Sequence, residues 1–156
     1  MAWLDDETTA FVHSGCALIL GTVDAGGEPC AGRGWGLTVA EEPRIVRLLV
    51  DADDEVTVRN ITTGAAIAVT AGSIRTLRSV QFKGRVTGTE PAGPDDLAKA
   101  DAYCAEMFTD IHETDFTPME LLEALRPHRL AACTVQVQER FDQTPGPTAG
   151  ARVEDP

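Results

Sequence analysis

Cations are scarce in this chain. Its 156 residues hold 13 lysines and arginines against 25 aspartates and glutamates, a formal net charge of -12. Nucleic acid and anionic membranes both recruit cationic faces, so neither is expected as a partner. No stretch of about 18 apolar residues occurs, which leaves no candidate for a membrane-crossing helix. The N-terminal MAWLDDETTAF is acidic where a secretory signal needs a basic start, so no signal peptide is expected. The four cysteines, Cys16, Cys30, Cys104 and Cys133, are widely spaced and form no CxxC. They fit free thiols in a reducing cytoplasm better than a disulfide framework. His13, His112 and His128 are dispersed and lack zinc-ligand spacing. A GxSxG elbow, a P-loop and a dinucleotide fingerprint are all missing, which argues against nucleophile-based hydrolysis and against those nucleotide folds.

Hydrophobic residues make up 43% and charged residues 24%, ordinary values for one domain with a real core. An amphipathic helix is expected over residues 3–13. Residues 16–23 (CALILGTV) are apolar on both alternating sets, the mark of a strand covered on both sides. DAGGEP over 24–29 is turn chemistry, and a return strand spans 30–39. A third strand at 44–50, a short helix within 53–63 and a fourth strand at 65–71 follow. The fifth strand leads into a helix from Pro94 to about His112. Thr117 and Glu120 have capping-box spacing for a helix over 117–126. A last strand covers 129–140, and the Pro- and Gly-rich residues 141–156 are expected to lack regular structure. The sum is a mainly β, six-stranded antiparallel unit with flanking α-helices.

Two strands carry the chemistry. From Ser79 the fifth alternates, with Ser79, Gln81, Lys83, Arg85 and Thr87 on one side and Val80, Phe82, Gly84 and Val86 on the other. Arg75, Arg78, Lys83 and Arg85 place four of the 13 cations in this strand and its lead-in. Two readings stay open: surface pairing with nearby carboxylates, worth about 0–1 kcal/mol per pair, or a site that holds an anion. In the second strand, Gly32, Gly34 and Gly36 alternate with Arg33, Trp35 and Leu37. Alternate glycines mark either close approach of a ligand or a barrel corner or bulge. A glycine face beside clustered arginines suits a flat, anionic cofactor.

The phrases GTVDAGGEPCAGRGWG, RNITTGAAIAVT, RSVQFKG and FDQTPGPTAG, in this order over about residues 8–150, resemble the pyridoxamine 5′-phosphate oxidase-like proteins. That resemblance implies a Greek-key split β-barrel of the FMN-binding type over residues 1–140, with 141–156 as a tail. It implies a homodimer with FMN at the interface and a small-molecule substrate. Arg33 and Trp35 match second-strand positions beside the flavin, and Leu49 and Val50 match third-strand backbone positions near its ring. Ser79 stands where the oxidases carry a glutamine. Where they place a Ser-Arg-Lys phosphate clamp this chain has Asp53-Asp54-Glu55, which argues against a true pyridoxamine phosphate oxidase. The expected cofactor-binding set is Arg33, Gly34, Trp35, Gly36, Leu49, Val50, Arg75, Arg78, Ser79 and Gln81, framing one cleft; Arg47 and Arg59 are further phosphate candidates. Alternatives are the deazaflavin F420, haem with a histidine ligand, or a non-catalytic dimer that binds a small anion.

Overall fold

A computed structural model describes residues 2–156. Its elements in chain order are α1 (Asp6–His13), β1 (Ala17–Val23), β2 (Pro29–Val39), β3 (Ile45–Asp51), α2 (Glu55–Asn60), β4 (Ala66–Gly72), β5 (Ser79–Pro91), α3 (Pro94–Asp115), α4 (Met119–Glu123), β6 (Leu130–Asp142) and β7 (Ala151–Val153). The strands run in the order β3-β2-β1-β4-β5-β6, and β3 pairs with β6 to close an antiparallel barrel of six strands. The chain leaves β3 at one side of β2 and returns as β4 beside β1, the crossover of a Greek key. The expected mainly β split barrel is the observed fold.

Alternation fills the barrel. Leu18 and Leu20 of β1, Leu48 and Val50 of β3, Val69 of β4, Phe82 and Val86 of β5 and Val135 of β6 are all buried in one cluster. Each such side chain contributes about 1.5–3 kcal/mol by leaving water. A second cluster lies outside the barrel, where Trp35 meets Cys104, Met107 and Phe108 of α3 and Leu122 of α4. Arg47 and Asp96 tie α3 to β3 through a two-pronged pair, Nε to Oδ1 at 2.8 Å and Nη2 to Oδ2 at 2.7 Å. Asp96 also accepts the Gly93 N–H at 2.9 Å, so one carboxylate both caps the helix and docks it. No helix among the described residues is long and apolar enough to cross a membrane.

Several expectations need correction. α1 starts only at Asp6, because Asp5 caps it by accepting the Thr8 N–H at 2.7 Å. Trp3 and Leu4 instead bury themselves in the core ahead of the helix. β1 is covered on one side only: Leu18 and Leu20 point inward, while Ile19 (46% exposed) and Val23 (43%) face out. α4 is shorter than 117–126, since Thr117 bonds back to Asp115 through its N–H (2.9 Å) and hydroxyl (2.6 Å) and makes no capping box. The tail is not wholly irregular. β7 pairs with β6 at Arg140–Asp142, and Asp155 reaches Arg44 at 2.5 Å.

Candidate functional site

The glycine strand is broken by a bulge. Gly34 pairs with Val50 and Gly36 with Leu49, so Trp35 is an extra residue that the partner strand does not match. Before the bulge the glycines face inward. A Cβ on Gly34 would lie 2.9 Å from both Leu18 Cβ and Leu48 Cδ1, and one on Gly32 would lie 2.5 Å from Thr57 Oγ1. After it, Gly36 abuts Leu49, and Trp35 packs under α3. The expected glycine face is therefore two surfaces, and neither is a floor beneath the arginines.

The arginine cluster also disperses. Arg75 is held by Asp110 (2.6 Å) and Glu113 of α3. Arg78 bonds Glu7 at 2.8 Å and lies over the Phe11 ring, and Arg47 is committed to Asp96 and Glu90. Val50 is in the barrel core, and Leu49 sits against Ala100 and Ala132 on the α3 side. The single cleft expected from Gly34, Trp35, Gly36, Leu49, Val50, Arg75, Arg78 and the rest does not form. The Asp53-Asp54-Glu55 segment has a local explanation: Asp54 caps α2 by accepting from Thr57 N (3.1 Å) and Oγ1 (2.7 Å), and Asp53 pairs with Arg129.

What the structure does bring together is an outward sheet face. Cross-strand partners give one row Arg33, Ile19, Thr70, Gln81 and the next Ala31, Gly21, Ala68, Lys83. Beyond them Pro29 pairs with Val23, and Ala66 pairs with Arg85. Ser79 borders the face beside Gly72, with its hydroxyl turned to Leu77 O at 3.0 Å. The middle row is nearly flat: a Cβ on Gly21 would meet only Ala68 Cβ, at 3.7 Å. Gln81 is fixed by donating to Thr70 Oγ1 at 2.9 Å. A cavity of about 380 Å³ opens here across β1, β4 and β5, bordered by Pro29 of β2 and by Gln138 and Glu139 of β6. Arg33, Lys83 and Arg85 are exposed on this face, and among the described residues none of them pairs with a carboxylate. Lys83 Nζ lies 4.6 Å over the Phe141 ring, and Arg85 Nη1 donates to Gly64 O at 3.3 Å. Sequence reasoning found Arg33, Gln81, Lys83 and Arg85 but missed the small residues of β1 and β4 that join them. Their signal was the two-sided apolar pattern of residues 16–23.

A second cavity, of about 350 Å³, lies between α3 and β2–β3, with His13, Gly36, Leu49, Lys99, Tyr103 and Glu106 around it. His13 Nε2 accepts the Val39 N–H at 2.8 Å, and burial and then Lys99 hold its pKa below the usual range. That imidazole is neutral with one nitrogen in use. Tyr103 is buried, which pushes its phenol up, and it donates to Val12 O at 3.3 Å. Burial raises Cys16 and Cys104 and pushes the Cys133 thiol up to about 12, so these thiols are not nucleophiles. The face and the cavity both offer binding surfaces.

No family model matches the chain, and no curated protein does so significantly. Solved structures do. HupZ from group A Streptococcus aligns with a TM-score of 0.58 and 18% identity, over 94% of this chain and 99% of its own. An F420 reductase aligns at 0.55 with 16% identity, over 84% and 93%. A candidate pyridoxamine 5′-phosphate oxidase from Lactobacillus delbrueckii aligns at 0.50 with 22% identity, over 88% and 93%. The chain shares the split-barrel fold of these structures.

Proposed function

We propose that this chain is a homodimeric, cofactor-binding split barrel of oxidoreductase type, with FMN as its cofactor. The carrying observation is the outward face of β2-β1-β4-β5, where a flat row of small residues is flanked by three cations that make no ion pair among the described residues, Glu139 standing across from Lys83 on β6. In a protein of net charge -12 most arginines are spoken for, and these are not. Lys83 and Arg85 on β5 would meet a cofactor phosphate, Arg33 would supply positive charge from the β2 edge, and Gly21, Ala31 and Ala68 would leave room for a planar ring. Ile19 and Val23 would lie against a second copy, which shields the face from water. A bound flavin supplies hydride or electron transfer; this chain's residues hold, orient and shield it. The substrate is a small molecule whose identity nothing on this face dictates. The four unpaired cysteines support a reducing, cytoplasmic setting.

F420 is the second reading, supported by the likeness to an F420 reductase. Haem fits less well, because His13, the histidine that lines a cavity, already uses Nε2. The test is a fluorescence titration with FMN, then F420, on wild type and on Arg33→Ala, Lys83→Ala and Arg75→Ala. Losing one charge-assisted contact should weaken binding roughly ten- to hundredfold for Lys83, and losing the Arg33 charge should weaken it too. Arg75→Ala should bind like wild type, because Arg75 already belongs to Asp110 and Glu113. Equal losses in all three variants would overturn this placement. If wild type binds neither cofactor, the non-catalytic anion-binding dimer replaces the flavin reading.

A further inference from the structure

Arg140 is a buried arginine that makes no close ion pair among the described residues, although Asp5 across the same cleft feels its charge. It stands near the end of β6, only 7% exposed, and its Nη2 donates to Glu154 O at 2.7 Å. Its Nε is buried with no acceptor, and Nη1 makes no hydrogen bond. Among the described residues no carboxylate comes within ion-pairing distance of it. Arg33, Arg59 and Arg85 also lack one, but they are exposed and water solvates them. The Nε–H is a buried donor left without an acceptor, and such a group carries a desolvation cost that added negative charge beside the guanidinium would offset.

The side chain borders a cleft of about 270 Å³ between the start of α1, the start of β5, the end of β6 and β7. Arg78 lines the same cleft, with Nη2 3.4 Å from Thr8 Oγ1 while Nη1 holds Glu7 at 2.8 Å. Two carboxylates line the cleft, Asp5 within the field of Arg140 and Asp142 within that of Arg78, and each also accepts hydrogen bonds from threonines. Asp5 accepts from Thr8 N (2.7 Å) and Thr8 Oγ1 (2.9 Å). Asp142 accepts from Thr144 N (2.9 Å) and Thr148 Oγ1 (2.7 Å). These bonds hold both carboxyls below the usual carboxylate range, with Thr8 the main cause for Asp5 and Thr148 for Asp142. They stay ionised on the wall of the cleft, which disfavours a dianion. A planar monoanion suits better, because a carboxylate matches the guanidinium fork with two parallel hydrogen bonds.

We propose that this cleft binds a small carboxylate, with Arg140 as its buried anchor and Arg78 at its mouth. The site is separate from the cofactor face and rests on a different observation. Propionate is the probe. Protein carrying ¹⁵N-arginine is titrated with sodium propionate, against sodium chloride at matched ionic strength and against inorganic phosphate. The Arg140 Nε–H resonance is identified by its loss in Arg140→Met and in Arg140→Lys. It should shift saturably with propionate, the Tm should rise alongside, and phosphate should be weaker. Arg140→Met should abolish the thermal response, and Arg140→Lys should weaken it by about tenfold or more for want of the fork. If the methionine variant does not fold, the lysine variant and the wild-type resonance decide. An unmoved resonance, an equal response to chloride, tighter binding of phosphate, or a thermal response that survives Arg140→Met would each overturn the proposal.

Discussion

Gly34 and Gly21 show how differently one residue type is used within a single sheet. Gly34 faces inward, where an added methyl would fall 2.9 Å from Leu18 and Leu48. Gly21 faces out across Ala68 with room to spare. Overpacking a dense core costs roughly 1–3 kcal/mol, whereas a surface change stays within about 0.5 kcal/mol. Urea unfolding should therefore show Gly34→Ala destabilised by that larger amount and Gly21→Ala close to wild type. Similar midpoints for the two would mean the β2 glycines do not face the core. In sequence Gly34 reads as open backbone and Gly21 as part of a strand covered on both sides, the reverse of what is found, because a strand pattern gives alternation but not which side is in. The Trp35 bulge then reverses the assignment partway along the strand, and one extra residue leaves no compositional trace. The fates of Arg75 and Arg78 were hidden for a related reason. Their partners, Asp110, Glu113 and Glu7, lie 35 or more positions away and meet them only after α1 and α3 dock.

At the scale of elements, α3 depends on one carboxylate. Asp96 is 7% exposed, caps the helix at Gly93 and grips Arg47 of β3. The Arg47 hydrogen bond is the main cause that holds its pKa below the usual carboxylate value. A depressed folded-state pKa gives stability that is present above the unfolded pKa, near 3.9, and is lost as pH falls through the folded value. Asp96→Asn should cost about 1.5–3 kcal/mol at neutral pH, the worth of hydrogen bonds to a charged group. The gap to wild type should narrow as the medium is acidified below about pH 4. Denaturant titrations at a series of pH values check this, and a gap that is constant with pH would contradict it. The helix itself was legible from Pro94 and its acidic first turn, and β5 was legible from strict alternation. The short β7 was not: three residues among prolines and glycines pair only because the β6 edge is there to receive them.

For the whole molecule, the two-sided apolar pattern of residues 16–23 carries information that one chain does not use. The inward set fills the barrel, and the outward set, Ile19 and Val23, is left bare beside Gly21, Ala66 and Ala68. A second copy over this face would bury that set, and cations at its rim would then lie where an anionic cofactor enters. The proposed dimer and the proposed flavin site thus share one surface, and one measurement reads both. Sedimentation velocity of the protein with FMN, followed in the visible band of the flavin and in the ultraviolet, should show flavin travelling with a dimer at micromolar concentration. Ile19→Asp should yield a folded monomer with the flavin left behind. A wild-type monomer that carries FMN, or an Ile19→Asp variant that stays dimeric and coloured, would contradict the assignment of this face.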